Sequence, residues 1–388
     1  MNFFGTIINT LTLVLLIILL VSFVLLSLYY GLFYLRIALY KGKKYPKNTK
    51  KPGVSVVLTV RNESEALRDN LVYLLEQDYP DFEVIVIDHV SKDYTRFILK
   101  TYKESYPNLK VVEFLQDVNM FKNKKFPLSI GIKSAQNDII LLTECTCVPK
   151  SFTWISEMME NYRPDTDFVM GYSGVKSAKG LLNTFIRYDN LAYTASSFGF
   201  ALLGNPYTAC GKNLAYRKSF FFQKGGFIKH YHIPNGDDDI FVNENATRNN
   251  VSVCLTNDSY VLSEPKTTFK AWCQQKAKRM STQIFYPIGD KILLTIYPLC
   301  VLLFYGSMAA IVATNITAES PLCLLTYMLT GVLVLKLVWQ IVCCHKLEHK
   351  LEGGKVAYFA PLFEIYFVVM NTIMYISTLK GKSKRWKQ

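Results

Sequence analysis

Several things are missing from this chain, and each absence removes a class of function. No glycine-rich phosphate loop follows a strand, which excludes a dinucleotide-dependent dehydrogenase and a P-loop enzyme. The nine cysteines lack the paired spacing of a secreted disulfide framework. Neither Cys145/Cys147 nor Cys343/Cys344 has zinc-site spacing, so reduced thiols are expected. No internal repeat is visible, and no low-complexity linker beyond residues 41–52. The N-terminal apolar run lacks the short core and small-residue cleavage site of a removable signal peptide, which makes it an anchor. A formal net charge of +14 comes with no nucleic-acid recognition module.

What the chain does have is apolar length. Of its 388 residues 50% are hydrophobic, with 25 Tyr and 25 Phe, and the excess is localised. Residues 7–35 carry no charge, and runs at 292–314, 321–344 and 356–379 follow near the end. Each exceeds the roughly 20 residues that cross a bilayer as a helix. Arg36, Lys41, Lys43, Lys44, Lys47, Lys50 and Lys51 follow the first run, and Lys380, Lys382, Lys384, Arg385 and Lys387 follow the last. Such juxtamembrane clusters suit anionic headgroups, and the positive-inside bias puts the soluble part in the cytoplasm. Three full C-terminal spans would then leave the basic tail outside. Either the tail is an exception, or one run is re-entrant or interfacial. Pro361 and Glu364 mark 356–379 as the run expected to be irregular.

Between the runs lies one sizeable domain with alternating strand and helix signals. Val54–Val60 reads as a buried strand, and Asn62 or Ser64 is placed to cap a helix with Leu67, Leu71, Leu74 and Leu75 on one face. Strands at 82–87, Leu109–Phe114 and 139–143 alternate with helices at 97–102 and 126–135. This order means βαβ units and a mostly parallel sheet. Ligands in open α/β sheets sit at the carboxyl ends of the strands. Two strand ends present acids there, Asp88 and Glu144. Such a face suits a nucleotide, with an Asp for ribose or base and a second acid for a diphosphate-bound cation.

Further along, Gly236-Asp237-Asp238-Asp239 brings three carboxylates together. Their repulsion and partial burial raise one pKa and prepare a general base, while a calcium loop or a plain helix N-terminus remains the alternative. His230 and His232 are read as structural. Residues 272–280 form a basic helix just before the membrane, suited to lipid headgroups or to a ligand.

Taken in order, the motifs are Val-x-x-x-Arg-Asn-Glu from Val57, Ile-Asp-x-x-Ser-x-Asp-x-Thr from Ile87, and Leu-Thr-Glu-x-Thr-Cys-x-Pro from Leu142. Gly-Lys-Asn-Leu-Ala-Tyr-Arg from Gly211, Gly-Asp-Asp-Asp from Gly236 and Gln-x-x-Lys-Arg from Gln275 complete the series. From about residue 53 to 282 this series resembles the membrane-anchored family 2 glycosyltransferases of bacterial type. The resemblance implies a GT-A fold, a Rossmann-like α/β domain in the cytoplasm with one N-terminal and about three C-terminal transmembrane helices, in a bacterial inner membrane. The implied layout is an anchor at 1–38, a basic linker at 39–52, the GT-A domain at 53–255, interfacial helices at 256–290, transmembrane helices at 291–380 and a basic tail at 381–388.

The implied activity is inverting transfer of a sugar from a nucleotide-diphosphate donor to a lipid or lipid-linked acceptor, one addition per encounter. Asp238 is the implied catalytic base, with Asp237 beside it. Donor contacts fall to Arg61, Glu63, Asp88, Asp93, Lys124, Glu144, Gln275, Lys278 and Arg279, and acceptor contacts to Gly211, Asn213 and Asp239. A divalent cation, Mn or Mg, is expected at Glu144.

Three departures from the family pattern stand out. His89 replaces an Asp, Thr146 replaces the coordinating Asp of the metal motif, and Lys278-Arg279 replaces Arg-Trp. They imply weaker metal dependence with Lys278 and Arg279 neutralising charge, or alternatively a catalytically impaired homologue that acts as a binding or scaffold protein in glycan assembly.

Overall fold

The computed structural model describes residues 2–3, 6–7, 10–42, 51–115, 123–316 and 323–385. Lys43, Lys44, Lys47 and Lys50 of the basic linker and Lys387 of the tail lie outside them. The chain divides into two compact units, Met1–Leu39 with Tyr286–Gln388, and Tyr40–Phe285.

The first unit is helical. Thr10–Tyr29 runs through a π-helical stretch, Tyr30–Leu35, into Arg36–Ala38. Ile288–Ile316, Cys323–Lys350 and Ala360–Arg385 complete it. All four helical segments are long and apolar enough to cross a bilayer. Two charges interrupt the apolar runs, and they meet: Lys336 and Glu364 form a fully buried ion pair. Tyr297 Oη donates to Glu364 Oε1 at 2.9 Å, and Tyr30 donates to the same oxygen. Lys336 Nζ donates to Tyr305 Oη at 2.9 Å and to Gln340 Oε1 at 2.7 Å. A buried charge persists where it is paired and hydrogen-bonded in this way.

The run expected to be re-entrant or interfacial is a continuous helix from Ala360, after a 3₁₀ turn at Ala357–Phe359. Pro361 falls in its first turn, where an N–H has no intrahelical partner to lose. Glu364 is neutralised by Lys336 rather than breaking the helix.

The second unit is an α/β fold. Its strands are β1 (Val54–Val60), β2 (Phe82–His89), β3 (Leu109–Phe114), β4 (Ile139–Leu142), β5 (Cys147–Pro149), β6 (Phe168–Gly171), β7 (Ser173–Val175), β8 (Leu214–Arg217), β9 (Val251–Cys254) and β10 (Val261–Ser263). Its main helices are α1 (Ser64–Leu75), α2 (Thr95–Ser105), α3 (Lys125–Ser134), α4 (Trp154–Met159), α5 (Leu181–Leu203), α6 (Lys218–Gln223), α7 (Asp239–Asn245) and α8 (Phe269–Met280). Seven strands form one sheet in the order β9, β6, β8, β4, β1, β2, β3, and β5, β10 and β7 form a smaller one. β1, β2, β3 and β4 are parallel, whereas β8 runs antiparallel between β4 and β6.

Unbroken apolar runs form the central strands because helices cover both faces. In β1 only Thr59 is not fully buried. Leu67, Leu71, Leu74 and Leu75 of α1 are buried, as their helical spacing predicts.

The cap of α1 differs from expectation. Its N-cap is Glu63, and no side chain of its own closes the turn. Instead Ser91 Oγ, Thr95 Oγ1 and Asp93 Oδ2 accept the N–H groups of Asn62, Glu63 and Ser64 at 3.0, 3.2 and 3.1 Å. The chain turns sharply on both sides of this junction, with φ of 56° at Asn62 and 58° at Val90. A β-branched residue in that region is strained and is held there by its surroundings.

Candidate active site

The carboxyl ends of β1, β2 and β4 and the amino end of antiparallel β8 meet along one edge of the sheet. Leu142 is paired with Leu214, so the same register carried two residues further sets Glu144 opposite Lys212. Lys212 Nζ lies 3.9 Å from Glu144 Oε2. Lys124, the N-cap of α3, lies 3.8 Å from Glu144 Oε1 and 2.9 Å from Asp237 Oδ2. Burial opposes the charge on Lys124, but Asp237 and Glu144 outweigh it and raise its pKa. The same balance, with Glu144 as chief partner, raises that of Lys212. Burial, together with the nearby Glu144 charge, raises the pKa of Glu63, against the lowering effect of the Cys145 thiol that donates to its Oε2 at 2.6 Å.

Two cavities meet at this cluster. One, of about 400 Å³, runs beside β1 past Arg61, Glu63 and His89. The other, of about 480 Å³, is walled by α5, α8 and the Gly236–Asp239 loop. Lys124, Glu144 and Asp237 line both.

Asp238 opens onto the larger cavity. Its Oδ2 accepts Gly211 N–H at 2.6 Å and its Oδ1 accepts Asp239 N–H at 2.9 Å, capping α7. Burial, then the neighbouring charges of Asp237 and Asp239, raise its pKa to about 7, with Lys124 pulling the other way. The acid cluster therefore forms a helix N-terminus in which the middle carboxyl is the one with the raised pKa. The loop that delivers it is anchored by Lys125, which is fully buried and donates to the carbonyls of His230, Ile233 and Asn235 at 2.9, 3.0 and 2.7 Å. Burial lowers the Lys125 pKa to about 8.

The motif series resembled a glycosyltransferase, and comparison with known proteins bears on the family and the fold. The model of glycosyl transferase family 21 matches residues 19–388. The chain belongs to glycosyl transferase family 21. The match is to family 21 by name where the motifs resembled family 2, and the four long apolar helices fit a membrane-anchored member.

The poly-beta-1,6-N-acetyl-D-glucosamine synthase of Staphylococcus epidermidis is 28% identical over 133 residues, 34% of this chain and 31% of that protein. Glycosyltransferase AglE of Haloferax volcanii is 28% identical over 100 residues, 25% of this chain and 32% of that one. The chain spans about a third of the length of these curated relatives. In fold it is similar to the mannosyltransferase PcManGT from Pyrobaculum calidifontis, solved in complex with GDP-Man and Mn²⁺. The TM-score is 0.56 at 19% identity, over 89% of this chain and 99% of that one.

The family 21 chain brings together Arg61, Glu63, Lys124, Glu144, Gly211, Asp237, Asp238 and Asp239 at or beside the two cavities, with Gln275 and Lys278 exposed on the wall of the larger. It does not bring Asp88 there. Asp88 is fully buried, held by Arg96 Nε at 2.9 Å and by the N–H of Ser91 at 3.0 Å, and its neighbour His89 lines the cleft instead.

Asp93 serves the α1 junction. Burial would raise its pKa, but hydrogen bonds from Thr95 and Ser64 outweigh it and bring the value to about 2. Asn213, expected at the acceptor, is a buried brace. Its Oδ1 accepts Trp154 Nε1 at 3.0 Å, and its Nδ2 donates to the carbonyls of Tyr172 and Ser259, each at 2.9 Å. Asp239 also accepts from Thr282 Oγ1 and from Ile240 N–H at 2.9 Å.

Arg279 lines the larger cavity too, its guanidinium 3.2 Å from Asp189 Oδ2 and 4.2 Å from the Tyr193 ring centroid. Asp189 on α5 also pairs with buried Lys276, whose pKa burial lowers to about 8. Sequence reasoning missed Lys125, Asp189, Lys212 and Lys276. Only Lys212 carried a signal, its place in Gly-Lys-Asn at the start of a strand. His230 Nε2 lies 2.8 Å from Glu244 Oε2.

The donor set around Glu144 does not fit the divalent cation expected there. Thr146 supplies no charge, the Cys145 thiol is turned onto Glu63, and each oxygen of Glu144 faces an ammonium group. Among the described residues no group of three His, Cys, Asp or Glu side chains is arranged to hold a metal.

Proposed function

We propose that this glycosyltransferase moves a sugar, with inversion, from a nucleotide-diphosphate donor to a lipid or lipid-linked acceptor at the cytoplasmic face of its membrane. The observation that carries the reading is Asp238, on the wall of the larger cavity with a pKa raised to about 7. A carboxylate titrating near the working pH suits a general base. The acceptor hydroxyl gives its proton to Asp238 while its oxygen attacks the anomeric carbon opposite the diphosphate. The nucleoside diphosphate leaves with the bonding pair, so one displacement inverts the centre.

The nucleotide is assigned to the cleft beside β1, whose wall offers Arg61, Glu63 and Lys124. The acceptor is assigned to the larger cavity, where Ile186, Phe198 and Trp272 supply apolar surface and Gln275 and Lys278 polar ends. That mixture, and the polybasic segments of the sequence, support a lipid-bearing acceptor over a soluble one.

The test is transfer by the purified full chain, supplied with a panel of nucleotide sugars and a membrane lipid extract, followed by mass spectrometry of the lipid phase. One donor is expected to label a lipid and to release its nucleoside diphosphate. Donor binding without turnover in any extract would replace catalysis by the binding role.

A further inference from the structure

A diphosphate leaving group gains negative charge as its bond to the sugar breaks, and something must meet that charge. The cluster at the junction of the two cavities is built to do so. Lys124 and Lys212 stand 3.8 and 3.9 Å from the two oxygens of Glu144, and Asp237 lies 2.9 Å from Lys124, so two ammonium groups and two carboxylates meet at the mouth of the nucleotide cleft. The arrangement is fixed by the fold. Lys212 is set opposite Glu144 by the β4–β8 register, and Lys124 is fixed as the N-cap of α3. Both lysines line the larger cavity, and Lys124 lines the nucleotide cleft as well. A divalent ion using Glu144 would stand beside two ammonium groups and be repelled by them. Arg279 lines the larger cavity as well, 3.2 Å from Asp189 and over the Tyr193 ring.

We infer that Lys124 and Lys212 together hold the donor diphosphate in place of a divalent cation, with Glu144 as the positioning residue that sets them side by side. This rests on the sugar-nucleotide reading above. In the transfer step the acceptor oxygen forms its bond to the anomeric carbon as the bond from that carbon to the β-phosphate oxygen breaks. The hydroxyl proton passes to Asp238, and the electron pair goes to the diphosphate between the two ammonium groups. No metal enters the balance.

The experiment is calorimetric titration of the full-length protein with UDP and with GDP, in EDTA and in Mn²⁺. The nucleoside diphosphate that binds is expected to do so within about twofold in the two conditions. Lys212→Gln should weaken it about tenfold, the loss of one charged hydrogen bond, while Lys212→Arg keeps most of the affinity. Binding seen with Mn²⁺ and lost in EDTA overturns the lysine assignment and leaves the sugar-nucleotide reading standing. No binding of either nucleotide in either condition, with transfer also absent, overturns that reading itself. Should Lys212→Gln fail to fold, the wild-type comparison alone decides.

Discussion

The backbone N–H of Gly211 donates to Asp238 Oδ2 at 2.6 Å, and a Cβ added at Gly211 would stand 3.1 Å from both the Cβ and Oδ2 of Asp238. The glycine lets the segment before β8 approach the proposed base closely enough to hold it by main chain. Gly211→Ala forces the carboxylate aside by a few tenths of an ångström. The expected outcome is a fall in kcat of about tenfold, since small misplacements of a reacting group are costly, with nucleotide affinity kept. Unaltered kcat would mean that the Asp238 carboxylate has room the packing does not suggest.

Asp238→Asn removes the base and leaves the side-chain shape. Transfer should drop by about 10² to 10⁴, while nucleotide binding, measured by calorimetry, persists. Wild-type transfer rates in this variant would remove Asp238 from the mechanism.

Because Asp238 must be ionised to accept a proton and its pKa is raised to about 7, kcat/KM should fall as pH drops below that value and level off above it. Asp237 raises this pKa by like-charge repulsion. Asp237→Asn is therefore expected to move the acid limb to lower pH. A limb that stays put would show that another group sets the profile.

Asn213→Ala separates bracing from acceptor binding. It strips the partner from Trp154 Nε1 and from the Ser259 carbonyl, while the Tyr172 carbonyl keeps the Val261 N–H at 3.2 Å. Each buried group left unpaired costs about 1–3 kcal/mol. A clear drop in the thermal midpoint is expected, with the acceptor KM of the folded fraction unchanged. A raised KM at an unchanged midpoint would restore the acceptor role.

In the helical unit, Lys336→Met alone strands Glu364 as a buried charge and should destabilise by about 3–5 kcal/mol. The pair Lys336→Met with Glu364→Gln is expected to recover much of that in detergent unfolding, because both charges are gone. Equal loss in the single and double variants would show that the tyrosine network, not charge balance, is what matters.

Sequence alone determined the plan of this protein. Runs too long and apolar for a soluble fold set the anchoring helices, and unbroken β-branched runs alternating with amphipathic segments set the parallel sheet. Strand ends placed Asp88 and Glu144 at its carboxyl edge, and the three crowded carboxylates marked Asp238. These are local or periodic properties, legible one segment at a time. The tertiary structure decided which charges are available to a ligand. Asp88 occurs in a nucleotide-like motif, yet Arg96 consumes it. Arg279 occurs in a donor-gripping motif, yet Asp189, 90 residues away in sequence, holds it. Lys212 became a partner of Glu144 only through the register of an antiparallel pair. A carboxylate or an ammonium is written in the sequence as a charge, but whether that charge is spent on a neighbour depends on chain segments far apart, and only folding brings those together.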